Sequence, residues 1–98
     1  MVLRPQTLVV HVPADGTPVP LLHQTGGKIP FVIRATCDIR IGSQDSLSSD
    51  NGLLIFAGSL FGMGAADYGD GVNGQMYVCC ADGNGGKVTG MTYTEDYA

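Results

Sequence analysis

The residues of this 98-residue chain that could do chemistry are three cysteines, two histidines and nine acids. The cysteines are Cys37, Cys79 and Cys80. An odd count with two adjacent members writes no disulfide framework of the kind small secreted domains use. Neighbouring residues on a strand point to opposite faces, so Cys79 and Cys80 cannot both enter one zinc site. The chain has no C-x-x-C and no paired-histidine spacing. The sequence therefore reads as free thiols packed as small hydrophobes and made in a thiol-reducing cytosol, with no metal and no cofactor. A Cys–His or Ser–His–Asp set drawn from Cys37, His11 and Asp38 lacks a nucleophile motif and a third group to orient it. His23 precedes a loop. Both histidines read as structural, and the chain reads as no enzyme, with no catalytic residue.

Two glycine-rich strings come near known ligand loops and fall short. Gly62-Met-Gly64-Ala-Ala-Asp67 is one residue from a dinucleotide fingerprint, with Asp67 where the third glycine belongs. That motif needs a long helix after it, and Gly69, Gly71 and Gly74 forbid one. Asp67 to Asn73 and Asp82 to Gly86 imitate pieces of calcium loops. An EF-hand needs oxygens at loop positions 1, 3 and 5 and a glutamate at 12, and the only glutamate is Glu95. Asp, Asn and Gly together are turn chemistry first. A cation in the 67–73 loop would show as a calcium-dependent melting temperature.

The elements that must position these residues are short strands. Gly supplies 15 residues and Pro 5, a load that a helical bundle does not tolerate and an all-β domain with many turns does. Thr7–Val12 is a β-branched run closed by the Asp15-Gly16 turn. Thr17–Leu22 is extended, and Pro18 and Pro20 make it an edge strand or a polyproline-like piece. Lys28–Arg40 is the longest strand candidate: Phe31, Ile33, Ala35, Cys37 and Ile39 alternate with Val32, Arg34, Thr36, Asp38 and Arg40. Ile41-Gly42 ends that run or carries it past a bulge. Ser43–Gly52 is a polar loop. Leu53–Ala57 and Ser59–Phe61 are strands, Gly62–Gly74 a long surface loop and Gln75–Ala81 a further strand. Asp82–Gly86 is a hairpin loop and Lys87–Thr94 the closing strand. The expected fold is one all-β domain over residues 1–98, a small antiparallel β-sandwich (jelly-roll-like) or barrel, with short arms at 1–6 and 94–98.

Charge narrows the partners. The net charge is −4 and the five bases are scattered, which opposes nucleic-acid binding. Residues 1–40 carry four bases and two acids, a net of +2, and residues 41–98 carry one base and seven acids, a net of −6. Such a polarised subunit can orient against neighbouring copies or a scaffold. The N-terminus shows no signal peptide. The apolar run Leu53–Ala66 falls short of the roughly 20 residues a bilayer-crossing helix needs, so no membrane partner is expected.

Leu53–Phe61 joins high β-propensity to a complete lack of charge, a hazard if exposed and an asset if docked. Phe31, Phe56 and Tyr77 are expected in the core. Leu60, Phe61, Met63, Tyr68 and Tyr97 are the candidates for contact with other subunits. Eleven of the glycines and most of the acids follow residue 49, so partner contacts are expected in that looser second half.

The order of these features resembles a recurrent type of small tailed-phage virion protein. The stretches that carry the likeness are Leu8-Val-Val-His-Val-Pro-Ala-Asp-Gly16-Thr-Pro-Val-Pro-Leu-Leu22 and Ile29-Pro-Phe-Val-Ile-Arg-Ala35. They continue with Asp38-Ile-Arg-Ile-Gly-Ser43, Gly52-Leu-Leu-Ile-Phe-Ala-Gly58, Met76-Tyr-Val-Cys-Cys-Ala81 and Gly86-Lys-Val-Thr-Gly-Met-Thr-Tyr93. The last two look like the closing hairpin of those proteins. The double proline at 18 and 20 and the long 62–74 loop depart from the pattern. The resemblance implies a β-sandwich used as a capsid cement or decoration protein, or as a head-fibre base. Its partners would be the major capsid protein and itself, as a homotrimer first and a dimer second, on the virion surface after synthesis in the host cytoplasm. A tail or fibre-base adaptor is the alternative within the virion. A small soluble ligand- or carbohydrate-binding module is the alternative outside it, and the absence of Trp counts against that.

Overall fold

Phe31, Ile33, Ala35, Cys37 and Ile39 are all buried while Val32, Arg34 and Thr36 are exposed, the period-two pattern of a strand with one dry face. In the computed structural model, which describes residues 2–22, 30–43, 46–64 and 76–96, the chain forms eight strands. They are β1 (Val2–Val12), β2 (Val19–Leu22), β3 (Phe31–Ala35), β4 (Ile39–Gly42), β5 (Leu53–Ile55), β6 (Leu60–Met63), β7 (Met76–Cys80) and β8 (Gly86–Asp96). Among the described residues no helix is long and apolar enough to cross a membrane.

The pairing is nested. β1 pairs with β8, β2 with β7, β3 with β6 and β4 with β5, all antiparallel. This is one long hairpin, folded back at β4–β5, whose two arms are then rolled. The roll is closed by β3 against β8 and β4 against β7. Two four-stranded sheets result, in the orders β1-β8-β3-β6 and β2-β7-β4-β5. The domain is a β-sandwich with jelly-roll connectivity.

The core lies between the sheets. Val12, Phe31, Ile33, Ala35 and Val88 face it from the first sheet, and Leu21, Ile39, Ile41, Ile55, Val78 and Cys80 from the second. Pro20 sits in β2, an edge strand of the second sheet, where its missing N–H costs no ladder bond.

Several expectations are corrected. The 28–40 run is not one strand: β3 and β4 lie in different sheets, with a bend at residues 36–38 between them. Asp38 secures the corner, its carboxylate accepting from the Ala57 N–H at 2.8 Å and its carbonyl from the Ala81 N–H at 2.8 Å. Asp82–Gly86 does not close a hairpin, because β7 and β8 also lie in different sheets. Residues 2–6 and 94–96, expected as arms, belong to the β1–β8 ladder, which runs in register from Val2↔Asp96 to Val12↔Gly86. Gly62 and Met63 belong to β6 rather than to a loop. Phe56 is 62% exposed instead of filling the core. The polar loop also carries an apolar anchor: Leu47 is buried, 3.5 Å from where a Cβ on Gly42 would stand.

Candidate interaction surface

A sheet edge is a row of unpaired backbone donors and acceptors, and most proteins protect theirs with proline or charge. The sandwich has two flanks. One is bounded by β1 and β2, which carry Pro5 and Pro20 within the strands and an exposed Arg4. The other is bounded by β5 and β6. Both of its edges come from a single stretch of chain, Leu53–Met63, that contains neither a charge nor a proline.

The side chains of this second flank stand in the open. Leu53, Leu54, Phe56 and Leu60 are exposed, Leu60 by 66%. Leu60 pairs with Arg34 and so lies on the outer face of the first sheet. Leu54 pairs with Arg40, on the outer face of the second. The connection between the two strands is fixed, not floppy: the Gly58 N–H donates to the Ala35 carbonyl and the Ser59 N–H to the Phe56 carbonyl. Gly58 takes φ of +81°, the left-handed turn that lets this connection fold back tightly.

The apolar surface continues from Leu60 over the first sheet. Register places Thr7, Met91, Val32 and Gly62 in one cross-strand row on its outer face, with Val9 in the next row alongside Thr89, Arg34 and Leu60. Val9, Val32 and Met91 are all exposed. A shallow depression of about 280 Å³ opens there, between Pro30, Val32, Gly62, Met63, Met91 and Tyr93. It offers scarcely any polar group, whereas a site for a small polar ligand sets a few directed donors and acceptors into its wall.

The sequence-derived contact residues separate on this surface. Leu60 projects outward, and Met63 is half-buried at the margin of the depression. Phe61 faces inward, its ring 6.1 Å from that of Phe31 at 49°, and is packed against the core. Tyr68 and Tyr97 lie outside the described residues, as do His23 and the 67–73 loop. Leu53, Leu54 and Phe56, not among those candidates, are exposed on the same flank. The uncharged run announced them, but only strand order shows that it forms both edges of one flank.

His11 is exposed on β1, opposite Lys87, whereas Cys37 points into the core. Cys79 is buried on the outward side of β7, opposite Arg40. The Arg40 guanidinium donates to the Ser49 and Gly52 carbonyls at 2.9 Å each, which ties the 46–52 loop over that face. Cys37 and Cys80 are brought together where the chain crosses between sheets. The Asp82 carboxylate joins them, accepting from the Cys80 thiol at 3.0 Å and from the Asn84 and Asp38 N–H groups at 2.9 and 3.0 Å. These donors lower its pKa to about 2. Burial, with the Cys80 thiol beside it, pushes the Cys37 thiol up to about 11. The Cys37 thiol therefore stands neutral, which is poor preparation for a nucleophile.

No family model, no curated protein and no solved structure matches this chain.

Proposed function

We propose that this protein is a structural subunit of a virion, a capsid decoration or cement protein that docks its β5–β6 flank on the major capsid protein lattice. The observation that carries the reading is the unprotected flank: two edges that pair with no further strand among the described residues, and four exposed apolar side chains from one uncharged segment, on a sandwich whose opposite flank is guarded by proline and charge. A free domain does not profit from such a surface, since open edges template aggregation. A subunit that buries it in an assembly gains both backbone pairing and apolar area. The order of strand and turn features, which resembles small tailed-phage virion proteins, supplies the setting. The jelly roll is a fold that capsid domains use among others, so it supports the setting without selecting it.

In this reading the subunits self-associate on the lattice, first as trimers around three-fold positions and second as dimers. A tail or fibre-base adaptor would use the same flank at a different copy number, hundreds per particle for a lattice and a dozen or fewer for a tail. Particles stripped of the protein are expected to lose thermal and osmotic resilience and to regain it when the protein is added back. Stripped particles as resilient as complete ones would remove the cementing role.

A further inference from the structure

The corner where the β3–β4 and β7–β8 crossings meet gathers three metal-ligating side chains from two distant parts of the chain. The Sγ atoms of Cys37 and Cys80 and a carboxylate oxygen of Asp82 all lie within 4.8 Å of one another. Both thiols are buried and the carboxylate is exposed, so the cluster has a dry floor and a wet mouth. Tetrahedral zinc, with Zn–S bonds of about 2.3 Å, sets its sulfurs about 3.8 Å apart. The cluster needs to contract by no more than about 1 Å to meet that spacing.

The surroundings suit a cation. The Gly85 N–H donates to Cys80 Sγ at 3.3 Å, and the Asp38 N–H holds the second carboxylate oxygen of Asp82 at 3.0 Å. Backbone donors of this kind orient metal-bound thiolates and carboxylates. The bridging proton between Cys80 and Asp82 occupies the position between two potential anions that an ion would take. Gly86 keeps the approach to Cys37 clear, since a Cβ there would stand 3.1 Å from the Cys37 sulfur and collide with Thr36 Oγ1.

We propose that Cys37, Cys80 and Asp82 form a binding site for one zinc ion, held by two thiolates and one carboxylate with the fourth position open to water. Two sulfur donors select zinc over calcium or magnesium, which take oxygen ligands. On binding, each thiol releases its proton to the buffer as a Zn–S bond forms, so two protons leave for each ion taken up. The ion staples one sheet crossing to the other, locking the end of the sandwich from which the β5–β6 connection also springs. Cys79, buried on the outward side of β7, takes no part.

The test is a titration of the full chain, freed of metal and kept reduced by a phosphine, with Co²⁺ and then Zn²⁺. The expected result is one Co²⁺ per chain with a thiolate-to-cobalt charge-transfer band in the near ultraviolet, displaced by Zn²⁺, and a melting temperature that rises with metal. Cys37→Ser and Cys80→Ser should each weaken zinc at least about tenfold and diminish the band. Asp82→Asn, on an exposed residue that spares the core, should weaken zinc while keeping the band, and Cys79→Ser should change nothing. A wild-type chain with no thiolate band at saturating Co²⁺ would overturn the site, whether or not the cysteine variants fold. So would a band left undiminished by Cys37→Ser or lost with Cys79→Ser.

Discussion

Asp82 shows how much one side chain can hold together. It accepts from the Cys80 thiol within its own crossing and from the Asp38 N–H in the neighbouring one, and its folded pKa falls from 3.8 to about 2. The unfolded state binds the proton more readily than the folded one. The contribution is therefore fully present above about pH 4 and is lost as pH falls towards about 2. Asp82→Asn should flatten the acid limb of stability between these values and leave the neutral-pH fold intact, measured by chemical denaturation at a series of pH values. An acid limb as steep as that of the wild type would mean that the carboxylate is not held as described. Nothing local in the sequence announces the Cys37–Cys80–Asp82 meeting. Alternation correctly separates Cys79 from Cys80, but the approach of positions 37 and 80 exists only because two sheet crossings share one corner.

At the scale of elements, the alternation from Phe31 to Ile39 was legible and the bend inside it was not. The reason is geometric. A strand that turns from one sheet of a sandwich into the other keeps its dry side towards the same core, so burial alternates straight through residues 36–38. Asp82-Gly-Asn-Gly-Gly86 is likewise good reversal chemistry, and turn residues do not say whether the reversal stays within a sheet or crosses to the other. Leu47 is the converse case, a single apolar residue in a polar loop that becomes an anchor because Gly42 and Gly52 leave room beside it. Arg40 ties that loop down through Ser49 and Gly52. Arg40→Ala should release it and raise the rate at which an aromatic disulfide reagent modifies Cys79, with Cys37 and Cys80 staying slow. Unchanged Cys79 reactivity would show that the loop holds its cover without the guanidinium.

For the whole molecule, the nested pairing of β1 with β8 through β4 with β5 decides what the uncharged segment becomes. The sequence shows that Leu53–Met63 is apolar and strand-forming. It does not show that the roll puts the middle of the chain at one margin of both sheets, because strand order depends on which distant segments pair. Once rolled, the segment supplies both edges of one flank, and Phe56 and Leu60 stand out from it. The flank is the centre of the functional account, and charge placed on it tests that account most directly. Wild-type protein and the double variant Phe56→Lys, Leu60→Lys would be titrated onto shells of the major capsid protein from the same particle. Both residues are exposed, so the variant is expected to keep the wild-type circular dichroism and melting temperature. Wild type is expected to bind saturably at hundreds of copies per shell and the variant at least about tenfold more weakly, the loss typical of truncated central contacts. Equal binding by the two, or no binding by the wild type, would contradict the account.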